Sequence, residues 1–101
     1  MKSKIDRLRE LCARDPENPF AWYTLAMELK KTDLPAALAV FADIRAKYPA
    51  YVPSYYHYAK TLEQAGEVDR AKEIYREGVD VAKRAGDAHA MSELAAALDL
   101  L

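Results

Sequence analysis

Apolar residues recur along this chain at the three- and four-residue spacing of helices with one buried face. Ile5, Leu8, Leu11 and Cys12 form the first such stripe and predict a helix from Ser3 to Arg14. Asp15-Pro16-Glu17-Asn18-Pro19 breaks it, and a second helix is expected over Phe20 to Lys31. Asp33 can cap a third helix, with Pro35 tolerated in a first turn where its missing N–H has no intrahelical partner. That helix carries Leu34, Ala37, Leu38, Phe41 and Ile44 on one side and ends at Tyr48-Pro49. Pro53 opens a fourth helix running to Ala65, where Gly66 suits a C-terminal cap. A fifth spans Val68 to Ala85 and stops at Gly86-Asp87; a sixth, Ala88 to Leu100, presents Met91, Leu94, Ala95 and Leu98. Asp69 and Asp87 read as N-caps of these last two. No segment alternates with period two over a useful length, so the chain is predicted to be all-α. Turns this short force sequence neighbours to pack antiparallel.

A longer period is laid over the helical one. Trp22-x-x-Leu25-Ala26-x-x-Leu29 returns 33 residues later as Tyr55-x-x-Tyr58-Ala59-x-x-Leu62, and again 36 residues later as Met91-x-x-Leu94-Ala95-x-x-Leu98. Ala37-x-x-x-Phe41 and Ala71-x-x-x-Tyr75 lie between, followed three residues on by Ile44 and Gly78. A period near 34 built of helical patterns marks a helix-turn-helix array. Ala26, Ala59 and Ala71 are small where two helix backbones must approach, and Gly78 is expected to serve the same need. Trp22, Tyr55, Phe41 and Tyr75 then fill the space between adjacent helices.

These residues resemble the tetratricopeptide repeat, whose signature is W-x2-L-G-x2-Y, then A-x3-F, then Pro. Trp22, Leu25, Ala26, Leu29, Ala37, Phe41 and Pro49 follow it through a first repeat, with Ala for Gly and Leu for Tyr. The turn Lys31-Thr32-Asp33 is one residue short and lacks the usual glycine. Tyr55, Tyr58, Ala59, Leu62, Gly66, Ala71 and Tyr75 follow the signature through a second repeat without its closing proline. The flanks resemble half repeats. The layout is one domain over 1–101, with a helix at 3–14, repeats at about 19–50 and 52–86, and a capping helix at 88–100.

The resemblance implies a concave groove, lined by the first helix of each repeat, that holds an extended peptide or a partner helix. Carried onto this chain, the groove residues are Tyr23, Met27 and Lys30, then Tyr56, Lys60 and Glu63 with His57 and Gln64 beside them. Ser92, Ala96 and Asp99 follow on the last helix, and Phe20, one turn before Tyr23, extends the strip. Tyr23, Tyr56 and Met27 offer adaptable apolar area, while Lys30 and Lys60 complement an acidic group. The lysine and asparagines with which some members clamp chaperone C-termini are replaced by Tyr23, Met27 and His57, so that sub-function is not expected. The expectation is a protein-protein interaction module. The alternative is a self-associating homodimer through the apolar end of the last helix, at Leu98, Leu100 and Leu101, because a terminal repeat ordinarily needs a polar outer face.

Composition narrows the remaining classes. A length of 101 residues suits one domain. Fifteen basic against 16 acidic residues leave no field to draw nucleic acid, and no apolar run is long enough for a membrane helix. Of the five tyrosines from Tyr48 to Tyr58, Tyr55 and Tyr58 take core positions and Tyr48 and Tyr51 flank a turn, and there is no basic stripe, so base stacking is not expected. One cysteine, Cys12, on an apolar stripe, fits a buried hydrophobe in a reducing, cytoplasmic setting. His57 and His89 lack a second ligand at metal spacing, and Gly66, Gly78 and Gly86 are too scattered for a phosphate loop. No metal, cofactor or catalytic residue is expected.

Overall fold

A computed structural model describes residues 1–101 as six helices: α1 Lys4–Arg14, α2 Pro19–Leu29, α3 Leu34–Lys47, α4 Pro53–Gln64, α5 Val68–Arg84 and α6 Ala88–Asp99. The fold is all-α, without strands. Each helix packs on its sequence neighbours, α4 also touches α6, and the array is elongated, 44 × 29 × 20 Å.

Local chemistry sets the boundaries. Ser3 and Asp6 close a reciprocal capping box on α1. Asn18, Asp33 and Asp87 accept from the first-turn amides of α2, α3 and α6. Gly66 and Gly86 take left-handed φ angles of 81° and 71°. At both, the amide of the residue after the glycine reaches back to a carbonyl of the last turn, Glu67 to Leu62 and Asp87 to Ala82. The α2–α3 turn needs no such glycine, since Thr32 and Asp33 both donate to the Leu29 carbonyl.

Two expectations are corrected here. Asp69 is not a cap: α5 is entered from Glu67, which makes no side-chain cap bond, and Asp69 lies inside the first turn. Gly66 hands the chain straight into α5, leaving no room for a cap two residues later. Leu11 was placed on the buried stripe of α1 but is 42% exposed. α1 packs on α2 alone among the helices with substantial contact, so its second flank meets solvent.

The core follows the repeat register. Leu25, Ala26, Ala37, Phe41, Tyr55, Ala59, Ala71 and Tyr75 are all essentially inaccessible. A Cβ placed on Gly78 would lie 2.8 Å from the Cβ of Tyr55, so the glycine is what lets α5 approach α4. Trp22 is only half-buried; its indole N–H donates to the Pro16 carbonyl at 2.8 Å. The Tyr55 hydroxyl does the same to Pro49 at 2.5 Å, so both signature aromatics tie down the proline six residues before them. Met91 has no such donor. In α6 the flank turned towards α5 and α4 is filled by Leu94 and Ala97, while Ala95 and Leu98 stay half-buried. Their counterparts Ala26, Leu29, Ala59 and Leu62 are buried by the helix that follows; α6 has no following helix.

The buried hydroxyls of Ser54 and Thr61 are partnered within a turn, donating to the carbonyls of Tyr51 and His57. Arg45 forks onto Glu77 through Nε and Nη2 at 2.5 and 3.1 Å, pinning α3 to α5. No helix is long and apolar enough to cross a membrane.

Candidate functional site

The parallel first helices α2, α4 and α6 carry a connected aromatic surface. Phe20 stacks on Tyr23 at 6.4 Å, and Tyr23 meets both Tyr51 and His57 edge-on or tilted at 5.9 and 5.8 Å. His57 then meets Tyr56 at 5.2 Å, and Tyr56 meets Tyr75 at 6.2 Å. Such pairs hold rings rigidly in place, so the surface is preformed. Tyr23, Tyr56 and His57 wall a cleft of about 380 Å³ with Val52 and Pro53, closed on its far side by Asp87, His89, Ala90, Glu93 and Leu94.

The other expected residues distribute around this cleft. Lys30 is half-buried at the end of α2, and Lys60 places its Nζ 5.6 Å from the Tyr56 ring centre and 3.7 Å from Glu63. Glu63 also accepts a short hydrogen bond from the Tyr75 hydroxyl, which fixes it against the core. Met27 lines a different groove, between α1 and α2, with Leu8, Leu11 and Phe20. Phe20, 57% exposed, lines that groove and not the cleft, and reaches the cleft only by stacking on Tyr23. Ser92 is exposed and does not line the cleft. Consecutive residues on a helix are about 100° apart, and the flank of α6 facing α4 is that of Ala90, Glu93 and Leu94. At the chain end, Leu98 is half-buried, Leu100 84% exposed and Leu101 37% exposed.

Tyr51, Asp87, His89 and Glu93 were not expected in this surface. Tyr51 sits in the α3–α4 turn, and the signal for it was the density of tyrosines from 48 to 58. The α6 residues carry no motif.

Electrostatics divide the face. Burial pushes the Lys30 ammonium below its ordinary value, and Lys60 pushes the same way. Burial holds the Tyr23 phenol above its ordinary value, with Tyr51 adding to the effect. The His57 imidazole is held below its ordinary 6.5, first by burial and then by Lys30, with Glu93 opposing. Its Nδ1 is the one buried side-chain polar atom without a hydrogen-bond partner, an arrangement that disfavours the charged ring. The sign of the consequence is fixed. Below 6.5 the unfolded chain binds this proton and the folded chain resists it, so stability falls as pH drops through the window beneath 6.5. Thermal melts at pH 7.5 and 5.0 should show a smaller acid loss for His57→Gln than for the parent; equal losses would contradict this assignment.

Burial pushes the Cys12 thiol up, away from the reactive thiolate, and it lies in the core. No three His, Cys, Asp or Glu side chains converge in a way that could hold a metal ion.

A family profile described as tetratricopeptide repeat matches residues 28–98. The chain is a tetratricopeptide repeat protein. Two solved structures of a tetratricopeptide repeat domain protein from Salinibacter ruber agree. The solution structure is 39% identical, with a TM-score of 0.78 over 82% of this chain and 85% of the other. The crystal structure is 38% identical, with a TM-score of 0.75 over 80% of this chain and 91% of the other. A Bordetella parapertussis protein shares the fold at 24% identity, with a TM-score of 0.82 over 98% of this chain and 87% of that one. No curated protein sequence matches. Tetratricopeptide repeats are in general protein-protein interaction modules, and this fold is theirs.

Proposed function

We propose that this tetratricopeptide repeat protein acts as an adaptor that binds a peptide segment of a protein partner on the concave face of α2, α4 and α6. The observation that carries this reading is the connected ring cluster Tyr23–His57–Tyr56, which walls an open cleft of about 380 Å³, with Phe20 stacked on Tyr23 beside it. Aromatic residues on rigid helices give contact area at low entropic cost, which suits them as anchors. The partner-binding residues on this reading are Tyr23, Tyr56 and His57 at the centre, with Phe20, Lys30, Lys60 and Glu63 around them. Met27 belongs to the flanking groove instead. Amide chemical-shift mapping during titration with a peptide library tests this. Shifts should centre on Tyr23, Tyr56 and His57 and vanish in Tyr56→Ala. Shifts confined to the outer faces of α3 and α5 would overturn it.

A second reading, self-association through α6, has its own observation. Ala95 and Leu98 are half-buried at positions that are sealed in both earlier repeats, and Leu100 stands 84% exposed beside them. Lys4 occupies on α1 the position of Ala37 on α3, where a first helix needs a small neighbour, so the contact would pair α6 with α6. Light scattering at high micromolar concentration should then give a dimer that Leu100→Glu converts to monomer. A parent monomer rejects it.

A further inference from the structure

The concave face carries opposite charges at its two ends. At the N-terminal end of the helices, Tyr23 and Tyr56 share the cleft with Asp87 and Glu93. Glu93 is held only by His89, at 3.9 Å, and Asp87 spends one oxygen on the amide of Ala90. At the C-terminal end stand Lys30 and Lys60. Lys30 makes no ion pair, whereas Lys60 reaches only Glu63, itself engaged by the Tyr75 hydroxyl. A half-buried lysine that faces another lysine and no free carboxylate is an unmet demand for an anion.

We propose that the bound segment is an extended peptide that places an arginine in the cleft against Tyr23, Tyr56 and Glu93, and an acidic side chain on Lys30 and Lys60. This rests on the groove reading above and adds the chemistry of its occupant. Arginine fits the first end because its planar cation stacks on aromatic rings and forks onto a carboxylate. The Lys60 ammonium already lies 5.6 Å from the Tyr56 ring centre, so this ring accepts a cation, and the acid seated on Lys60 offsets its repulsion of the arginine. His57 between the two ends is held neutral by burial, so it does not repel the arginine. The spacing follows from the helix. Tyr23 and Lys30 are two turns apart, about 10 Å along the axis, which an extended peptide covers in about three residues. The arginine and the acid are therefore three residues apart on the ligand. The two unlike ends also fix the direction in which the peptide lies.

Selection from a random dodecapeptide library displayed on phage, against the intact protein, tests both levels. The expected result is enrichment of Arg with Glu or Asp three positions away, and about a tenfold loss of binding when the Arg of a selected peptide is replaced by Gln. Selection against Glu93→Lys should lose the Arg preference, and selection against Lys30→Glu should lose the acidic one. Glu93 is exposed and Lys30 half-buried at a helix end, and circular dichroism verifies that the variants fold. Peptides that need Tyr56 but show no charge pair overturn the arginine–acid proposal and leave the groove reading standing. Peptides indifferent to Tyr23→Ala and Tyr56→Ala, or no enrichment at all, overturn both.

Discussion

Phe41→Ala should lower the stability of this protein by about 3–5 kcal/mol, the cost of removing a fully buried ring and leaving a cavity. Phe41 is inaccessible and lies stacked on Tyr58 at 5.8 Å, where α3 meets α4. A domain of this size has about 5–15 kcal/mol in all, so the substitution takes about a fifth of it or more. The melting temperature should fall by about 20 °C. The neighbours cannot close the hole easily. Ala37 and Ala59 are already minimal, and α3 is tethered to α5 by Arg45 and Glu77. A loss below about 1 kcal/mol in urea denaturation would mean that α3 and α4 are not packed as described.

Gly78→Val should be nearly as damaging, for the opposite reason. Replacing a helical glycine ordinarily gains up to about 1 kcal/mol from backbone entropy. Here the new Cβ would sit 2.8 Å from the Cβ of Tyr55 and 3.1 Å from a methyl carbon of Leu94. The Leu94 methyl can swing aside; the Tyr55 Cβ is fixed to the α4 backbone. The two helices must separate, and overpacking of this kind costs about 1–3 kcal/mol. Valine, with two further methyls, should destabilise more than Gly78→Ala, and Gly78→Ala should itself fall below the parent in thermal melts. A stabilising Gly78→Ala would show that α4 and α5 are farther apart than this packing requires. Both substitutions also bear on function, because α3 and α5 are the backing against which α2, α4 and α6 hold their rings.

The helices were legible in the sequence because their signals are local. Periodic apolar residues, prolines at first turns and glycines at Gly66 and Gly86 act within a few residues. The misplacement of the α5 cap at Asp69 has the same origin in reverse. Nothing in Glu67-Val68-Asp69 says which residue follows the turn, and the hydrogen bond from Glu67 back to Leu62 decides it. Leu11 was misjudged because burial depends on which neighbours exist, and it lies on a helix with one open flank. The candidate site was half legible. Tyr23, Tyr56, His57, Lys30 and Lys60 follow from their register beside signature residues. Tyr51, Asp87 and Glu93 reach the same surface only through the way a turn folds under α2 and α6 leans on α4. Met27 shares the helix face of Tyr23 in sequence, yet it lines the other groove because α1 lies alongside it.

The structure of the protein with a selected peptide bound is the most direct test of the central claim, that the concave aromatic face is where this protein meets its partner. The peptide should lie in extended form along the helix axes in the groove of α2, α4 and α6, with a side chain seated between Tyr23, Tyr56 and Glu93. A peptide lying in the α1–α2 groove along Leu8, Leu11 and Met27, or across the outer faces of α3 and α5, would contradict it.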